Sequence, residues 1–115
     1  MWFLWEDEAL WIIGDEQTDT FPKRIQAEPH CAVSIVDFDI LSGQVEHVGM
    51  RGHAAVIPLD VNRARRLLRR YLGGREETWD MRFRGALESS DTLLVRFIPE
   101  TVVVRDVSFQ PSLER

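Results

Sequence analysis

Cysteine is almost missing from this chain of 115 residues: Cys31 stands alone, which excludes an internal disulfide and a CxxC zinc site. Lysine is as scarce, and Lys23 is the one ammonium point charge beside thirteen arginines. Positive charge is in deficit overall, with 14 basic side chains against 19 acidic ones and a net charge of −5. That balance argues against a nucleic-acid or anionic-membrane binder, because either partner requires a net positive surface. No apolar run approaches the ~18 residues that cross a bilayer, and no basic-then-apolar leader precedes a cleavage site. The expectation is a soluble, cytoplasmic protein with a single domain over residues 1–115, for which 44% hydrophobic residues supply the core.

What charge there is lies unevenly. Residues 1–57 set Lys23, Arg24 and Arg51 against ten carboxylates, whereas residues 58–115 set eleven arginines against nine. The aromatic and branched runs Met1–Trp5 and Ala9–Ile13, separated by Glu6-Asp7-Glu8, read as a β-hairpin. After a polar turn over 14–19, Thr20 is a candidate N-cap for a short helix with Pro22 near its start and Pro29 past its end. His30–Phe38 and Gln44–Ile57 read as strands joined by a turn, and Gly49 and Gly52 inside the second point to a bulge, a bend or a close backbone approach.

Asp60 caps the strongest helix pattern, Val61–Leu72, whose apolar face is Val61, Ala64, Leu67, Leu68, Tyr71 and Leu72, with Gly73-Gly74 as the stop. Glu77–Arg84 reads as a second short helix. Thr92–Ile98 and Thr101–Phe109 read as two strands divided by Pro99-Glu100, and the tail Gln110–Arg115 as frayed. Hairpin-length links without βαβ alternation predict a mainly β fold with helices: an antiparallel sheet curled into a small barrel with the helices outside.

Few residues form a recognisable reactive group. His47 and His53 share a strand face but lie ~20 Å apart at the strand rise, too far for one ion. Asp37 and Asp39 read as solvated turn carboxylates, and no metal site follows. His30 and Cys31 are adjacent on a strand and face opposite ways, so they form no dyad. Cys31 reads as a small buried apolar residue. Ser34, Ser42, Ser89 and Ser90 lack any nucleophile-elbow or SxxK context. The arginines at 63, 65, 66, 69 and 70 fall on the solvent face of their helix. The most suggestive segment runs from Thr18 and Thr20 to the helix start at Lys23 and Arg24, where backbone N–H groups, a hydroxyl and two cations could meet a phosphate. A plain capped helix with surface cations is the competing reading.

The chain resembles the pyridoxamine 5′-phosphate oxidase-like flavoproteins. The likeness is carried by Trp2-Phe3-Leu4-Trp5-Glu6-Asp7, Leu10-Trp11-Ile12-Ile13, Thr20-Phe21-Pro22-Lys23-Arg24-Ile25 and Pro29-His30-Cys31-Ala32-Val33. It continues in order through Val48-Gly49-Met50-Arg51-Gly52-His53-Ala54, residues 64–73 and Val95–Val102. The resemblance implies an antiparallel split β-barrel and a homodimer that binds FMN at the subunit interface.

By position, Trp2, Phe3 and Trp5 would lie along the flavin ring. Thr18, Thr20, Phe21, Lys23 and Arg24 would form the phosphate end, and His47 would take the place of a ring-bonding glutamine. Trp79 and Arg105 are the implied substrate-pocket residues, with a core anchor as the other reading of Trp79. The chain departs from the family in two respects. The two strands that usually precede the flavin strand do not stand before Met1, leaving sheet edge for dimerisation to cover. The substrate arginine and histidine of the vitamin B6 oxidases have no counterparts, so an oxidase of that vitamin is not expected. The expectation is an FMN-dependent oxidoreductase of open substrate; a dimeric relative without flavin, or a barrel holding a deazaflavin (F420) or haem, are the alternatives.

Overall fold

In a computed structural model, residues 2–39 and 44–106 are described, those at 37–39, 44–46, 105 and 106 by backbone alone. The elements follow the chain as β1 (Leu4–Glu6), β2 (Ala9–Asp15), α1 (Phe21–Ala27), β3 (His30–Asp39), β4 (Gln44–Pro58), α2 (Val61–Leu72), a 3-10 turn (Glu76–Thr78), α3 (Met81–Ala86) and β5 (Thr92–Asp106). The strands make one sheet in the order β1-β2-β5-β4-β3, antiparallel at every pairing. The expected antiparallel sheet with outer helices is therefore present. Its edges, β1 and β3, do not pair with each other among the described residues, so the sheet is open rather than closed on itself.

Alternation along the strands sorts side chains onto two faces. On one, Leu10, Met50, Ala54, Val95 and Phe97 are buried, with Phe21 and Ile25 of α1 packed against them. On the other, Ala9, Trp11 and Leu94 meet Ala64 of α2, joined by Leu4, Ile13, Ile57, Leu59 and Leu87. Helix α2 forms as its caps dictate: the Asp60 carboxylate accepts from the Arg63 N–H, and Gly73 leaves the helix at φ 88°, a conformation favourable to glycine. Ala64, Leu67 and Leu68 are buried as the periodicity requires.

Two corrections concern boundaries. Pro99-Glu100 does not divide two strands; β5 runs unbroken from Thr92 to Asp106. The partner register steps from Arg51↔Thr101 to Gly52↔Pro99, leaving Glu100 as the extra residue of a bulge, where proline's missing N–H is tolerated. Gly52 is required there, since a Cβ would sit 2.0 Å from the Ile98 carbonyl oxygen. The close approach expected of that glycine is thus found. The second correction is at Glu77–Arg84, where Trp79 interrupts the helix in an extended conformation (φ −70°, ψ 147°). Its ring is buried, its Nε1–H donates to the Gly73 carbonyl at 3.0 Å, and Asp80 caps α3 through the Arg82 N–H. The turn over 40–43 and the tail from 107 onward lie outside the described residues.

Of the α2 arginines, Arg66, Arg69 and Arg70 are exposed as their spacing implies, whereas Arg63 is largely covered. Arg63 stacks over the Trp11 ring at 3.8 Å and reaches the Asp7 carboxylate at 2.7 Å. Arg66 makes two bonds to Glu6 (2.8 and 2.5 Å), and Arg65 pairs with Glu76 at 2.5 Å. The Arg63 and Arg66 pairs clamp the two-residue turn between β1 and β2, where Asp7 and Glu8 both hold positive φ (54° and 59°) without being glycine. The Arg66 hydrogen bond holds the Glu6 carboxyl below its ordinary range, while partial burial opposes it. Among the described residues no helix is long and apolar enough to cross a membrane.

Candidate functional site

Helix α2 covers only one half of its face of the sheet. Beyond Arg96 the same face of β3, β4 and β5 carries no helix, and there Ala32, Ser34, His47, Gly49, Arg51, Thr101 and Val103 line a cavity of about 340 Å³ with Val33 and Met50. The floor is low because Ala32 and Gly49 present little or no side chain; a Cβ at Gly49 would make only ordinary contact with His47 Cε1 at 3.5 Å. The polar groups are few and placed: His47 Nε2 is hydrogen-bonded to Ser34 Oγ across the β3–β4 pairing, and Arg51 and Thr101 face one another in register. A shallow, largely apolar bed with a few polar groups is the usual composition of a small-molecule site. It suits a flat ring that can lie on the sheet and take hydrogen bonds at its edge.

The residues named from sequence do not gather at one place. His47 lines the cavity. Arg105 is its register partner on β5, with a side chain outside the described residues. Trp2 stacks on Tyr71 (centroids 4.8 Å, 2° between planes) and on Phe83 at 5.3 Å, beside a separate apolar cavity of about 240 Å³. Phe3 packs toward the core, and its N–H donates to the Tyr71 hydroxyl at 3.1 Å. Trp5 is exposed on edge strand β1. Trp79 is the buried anchor already described and lines none of these cavities.

At the expected phosphate end, the N–H groups of Gln17 and Thr18 already donate to the Asp15 carboxylate, at 2.8 and 3.0 Å. Thr20 takes the N-cap position without a side-chain capping bond. Phe21 packs against the core, where Gly14 has room for no Cβ without crowding its ring at 3.0 Å. Lys23 opens onto a cleft of about 430 Å³ that Glu16 and Asp91 also line, while Arg24 is exposed and absent from that lining. The segment therefore presents one cation among carboxylates rather than a converging anion cradle. Sequence reasoning had not singled out Arg51, Ser34 and Thr101. Their common signal was a polar residue alternating on the uncovered face, legible only once the strand register is known.

No protein-family model and no curated protein matches the sequence. Solved structures do. The conserved hypothetical protein Rv2991 of Mycobacterium tuberculosis superposes with a TM-score of 0.70 at 14% identity, over 92% of this chain and 66% of that one. HutZ, the heme storage protein of Vibrio cholerae, gives 0.66 at 12% identity over 90% and 71%. A pyridoxamine 5′-phosphate oxidase candidate from Listeria innocua gives 0.56 at 16% identity over 91% and 73%. The chain spans just under two thirds of the length of Rv2991. At such identities the likeness is one of fold: the chain has the fold of the pyridoxamine 5′-phosphate oxidase-like proteins that its sequence resembles.

Proposed function

We propose that the chain is a homodimeric split-barrel protein that binds FMN on the uncovered face of β3, β4 and β5. The observation that carries the reading is the cavity over Ala32, Gly49 and Val103 with His47, Ser34 and Arg51 at its margin. The low apolar floor receives the isoalloxazine ring, and His47, oriented by Ser34, bonds its edge. Arg51 is the cation that lines this cavity, so we assign the phosphate to Arg51 in preference to Lys23 and Arg24. Bound flavin supplies hydride-transfer chemistry; the protein contributes placement, charge and exclusion of water.

A second copy completes the site. Val36, Ile98, Val102, Val103 and Val104 are exposed on the uncovered strands, and the radius of gyration of 16.8 Å exceeds the ~13 Å of a compact domain of about 100 residues. Both features fit a partner lying against this half of the sheet. The fold shared with HutZ favours haem as the second reading, on the same face, with His47 as the axial candidate.

Titration of the full chain with FMN, read by quenching of flavin fluorescence, tests the proposal. Saturable binding weakened ~10-fold or more (about 1.4 kcal/mol) by Arg51→Ala and by His47→Ala, with a dimer in light scattering, supports it. Unchanged affinity in both variants, or no FMN binding, overturns it. A Soret shift with hemin that His47→Ala abolishes would select the haem reading. Failure of FMN, deazaflavin and hemin alike would leave a relative without cofactor.

A further inference from the structure

The topology brings together two histidines that are 23 positions apart in the chain. His30, the first residue of β3, is the register partner of His53 on β4, and their ring centroids are 4.2 Å apart. The neighbouring bond from the Ala54 N–H to the Pro29 carbonyl (2.8 Å) makes His30–His53 a non-hydrogen-bonded pair, the kind in which facing side chains come closest. Each ring is held from behind by a carboxylate. Glu28 Oε1 accepts from His30 Nδ1 at 2.9 Å and from the His30 backbone N–H at 3.0 Å, and Glu100 Oε1 accepts from His53 Nδ1.

An ionised carboxylate only accepts, so Nδ1 of each ring carries its proton and Nε2 of the neutral ring holds the lone pair. Neither Nε2 has a hydrogen-bond partner among the described residues. The β5 bulge has its own part in this, since its extra residue, Glu100, is the one that reaches His53.

Imidazole pairs with carboxylates on their Nδ1 atoms are the arrangement by which proteins orient metal-ligating histidines and raise their basicity. We propose that His30 and His53 form a two-imidazole site for a divalent transition-metal ion, with Glu28 and Glu100 as positioning residues. An ion held by both Nε2 atoms at bonds of about 2.0–2.1 Å requires the two rings to open somewhat from their 4.2 Å centroid separation. No group of three or more His, Cys, Asp or Glu side chains among the described residues is disposed to hold an ion. The site is accordingly open, with its remaining positions taken by water or by an exogenous ligand. Arg51 shares a cavity of about 520 Å³ with His30 and Glu100, and its charge is outweighed by the two carboxylates. Cu²⁺ is the ion expected to bind most tightly, ahead of Zn²⁺ and Ni²⁺, since imidazole suits all three and affinity peaks at copper. This site adjoins the cavity at His47, with which it shares Ala32, Arg51 and Thr101, but its two imidazoles do not line that cavity.

The test is calorimetric titration of the full chain with Cu²⁺, Ni²⁺ and Zn²⁺, followed in parallel by the histidine ring resonances. One ion per chain is expected, with the signals of His30 and His53 moving and that of His47 still. His30→Ala and His53→Ala should each weaken Cu²⁺ at least tenfold, and Glu28→Ala or Glu100→Ala by ~10–100-fold. His30→Gln and His53→Gln, with circular dichroism on every variant, separate loss of ligand from loss of fold. Absence of saturable uptake, or uptake indifferent to both histidine substitutions in folded protein, overturns the proposal.

Discussion

Two halves of one sheet have been finished differently. Toward the β2–β5 pairing, both faces are covered: α1 lies on one and α2 on the other, so Leu10, Ala64, Leu94 and Phe97 are all at 1% exposure or less. Toward the far ends of β3, β4 and β5 the hydrogen-bonded ladder continues, yet Val102, Val103 and Val104 are 54, 51 and 69% exposed. Both halves carry strand-forming residues, aromatic and branched in Leu10–Ile13 and Leu93–Ile98 and valine-rich in Val102–Val104. The difference lies in what stands opposite. A helix with an apolar stripe makes a core of the first half, and the second half keeps an unclad surface on which a ring or a partner can lie.

Substituting along β5 gives the largest contrast. Phe97→Ala should destabilise the fold by about 3–5 kcal/mol through cavity formation, measured by urea unfolding. Val103→Ala, six residues on and on the uncovered face, should stay within about 0.5 kcal/mol for the monomer. Equal losses would mean that the far half carries a core of its own. Gly52→Ala, at the joint between the halves, should cost about 3 kcal/mol by forcing a Cβ onto the Ile98 carbonyl, and should disturb amide signals on both sides of the bulge.

Acidification has the smallest effect. Glu6 is held below its ordinary value of 4.5, so its contribution is present above about pH 4.5 and disappears as the pH falls through the lowered value. Glu6→Gln should abolish that part of the acid dependence, read at the amides of β1 and β2, and added salt should blunt it.

Local signals in the chain were strong where one element decides its own conformation. Helix α2 was legible because a capping aspartate and a terminal glycine bracket a periodic stripe of twelve residues. The hairpin at Asp7-Glu8 was legible as a polar break, and Gly52 as a site where backbones meet. The solvent face of the α2 arginines was legible as well, except at Arg63, because periodicity reports which face is apolar and cannot report that Asp7 and the Trp11 ring stand against that one side chain. At the segment read as a phosphate end, a local bond invisible in sequence intervenes: Asp15 takes up the N–H groups of Gln17 and Thr18. Pro99 was taken as a strand end because its lost N–H is visible in sequence, whereas the bulge that absorbs it, at Glu100 of the same strand, is defined only by pairing with β4.

The candidate site follows the same division. His47 could be named from the chain because its position in a resembling pattern is a one-dimensional property. Arg51 shares its face with His47 by alternation along one strand, whereas Ser34 and Thr101 joined it only through the register of β3 with β4 and of β4 with β5. The His30–His53 pair shows this most plainly, since spacing along one strand compared His47 with His53 and left His30 aside. What the amino-acid sequence determined by itself was the set of elements and their two faces, because hydrogen bonding and amphipathicity act over a few residues. Which side chains stand opposite one another was decided only by the tertiary structure, because strand register is settled by packing over the whole sheet.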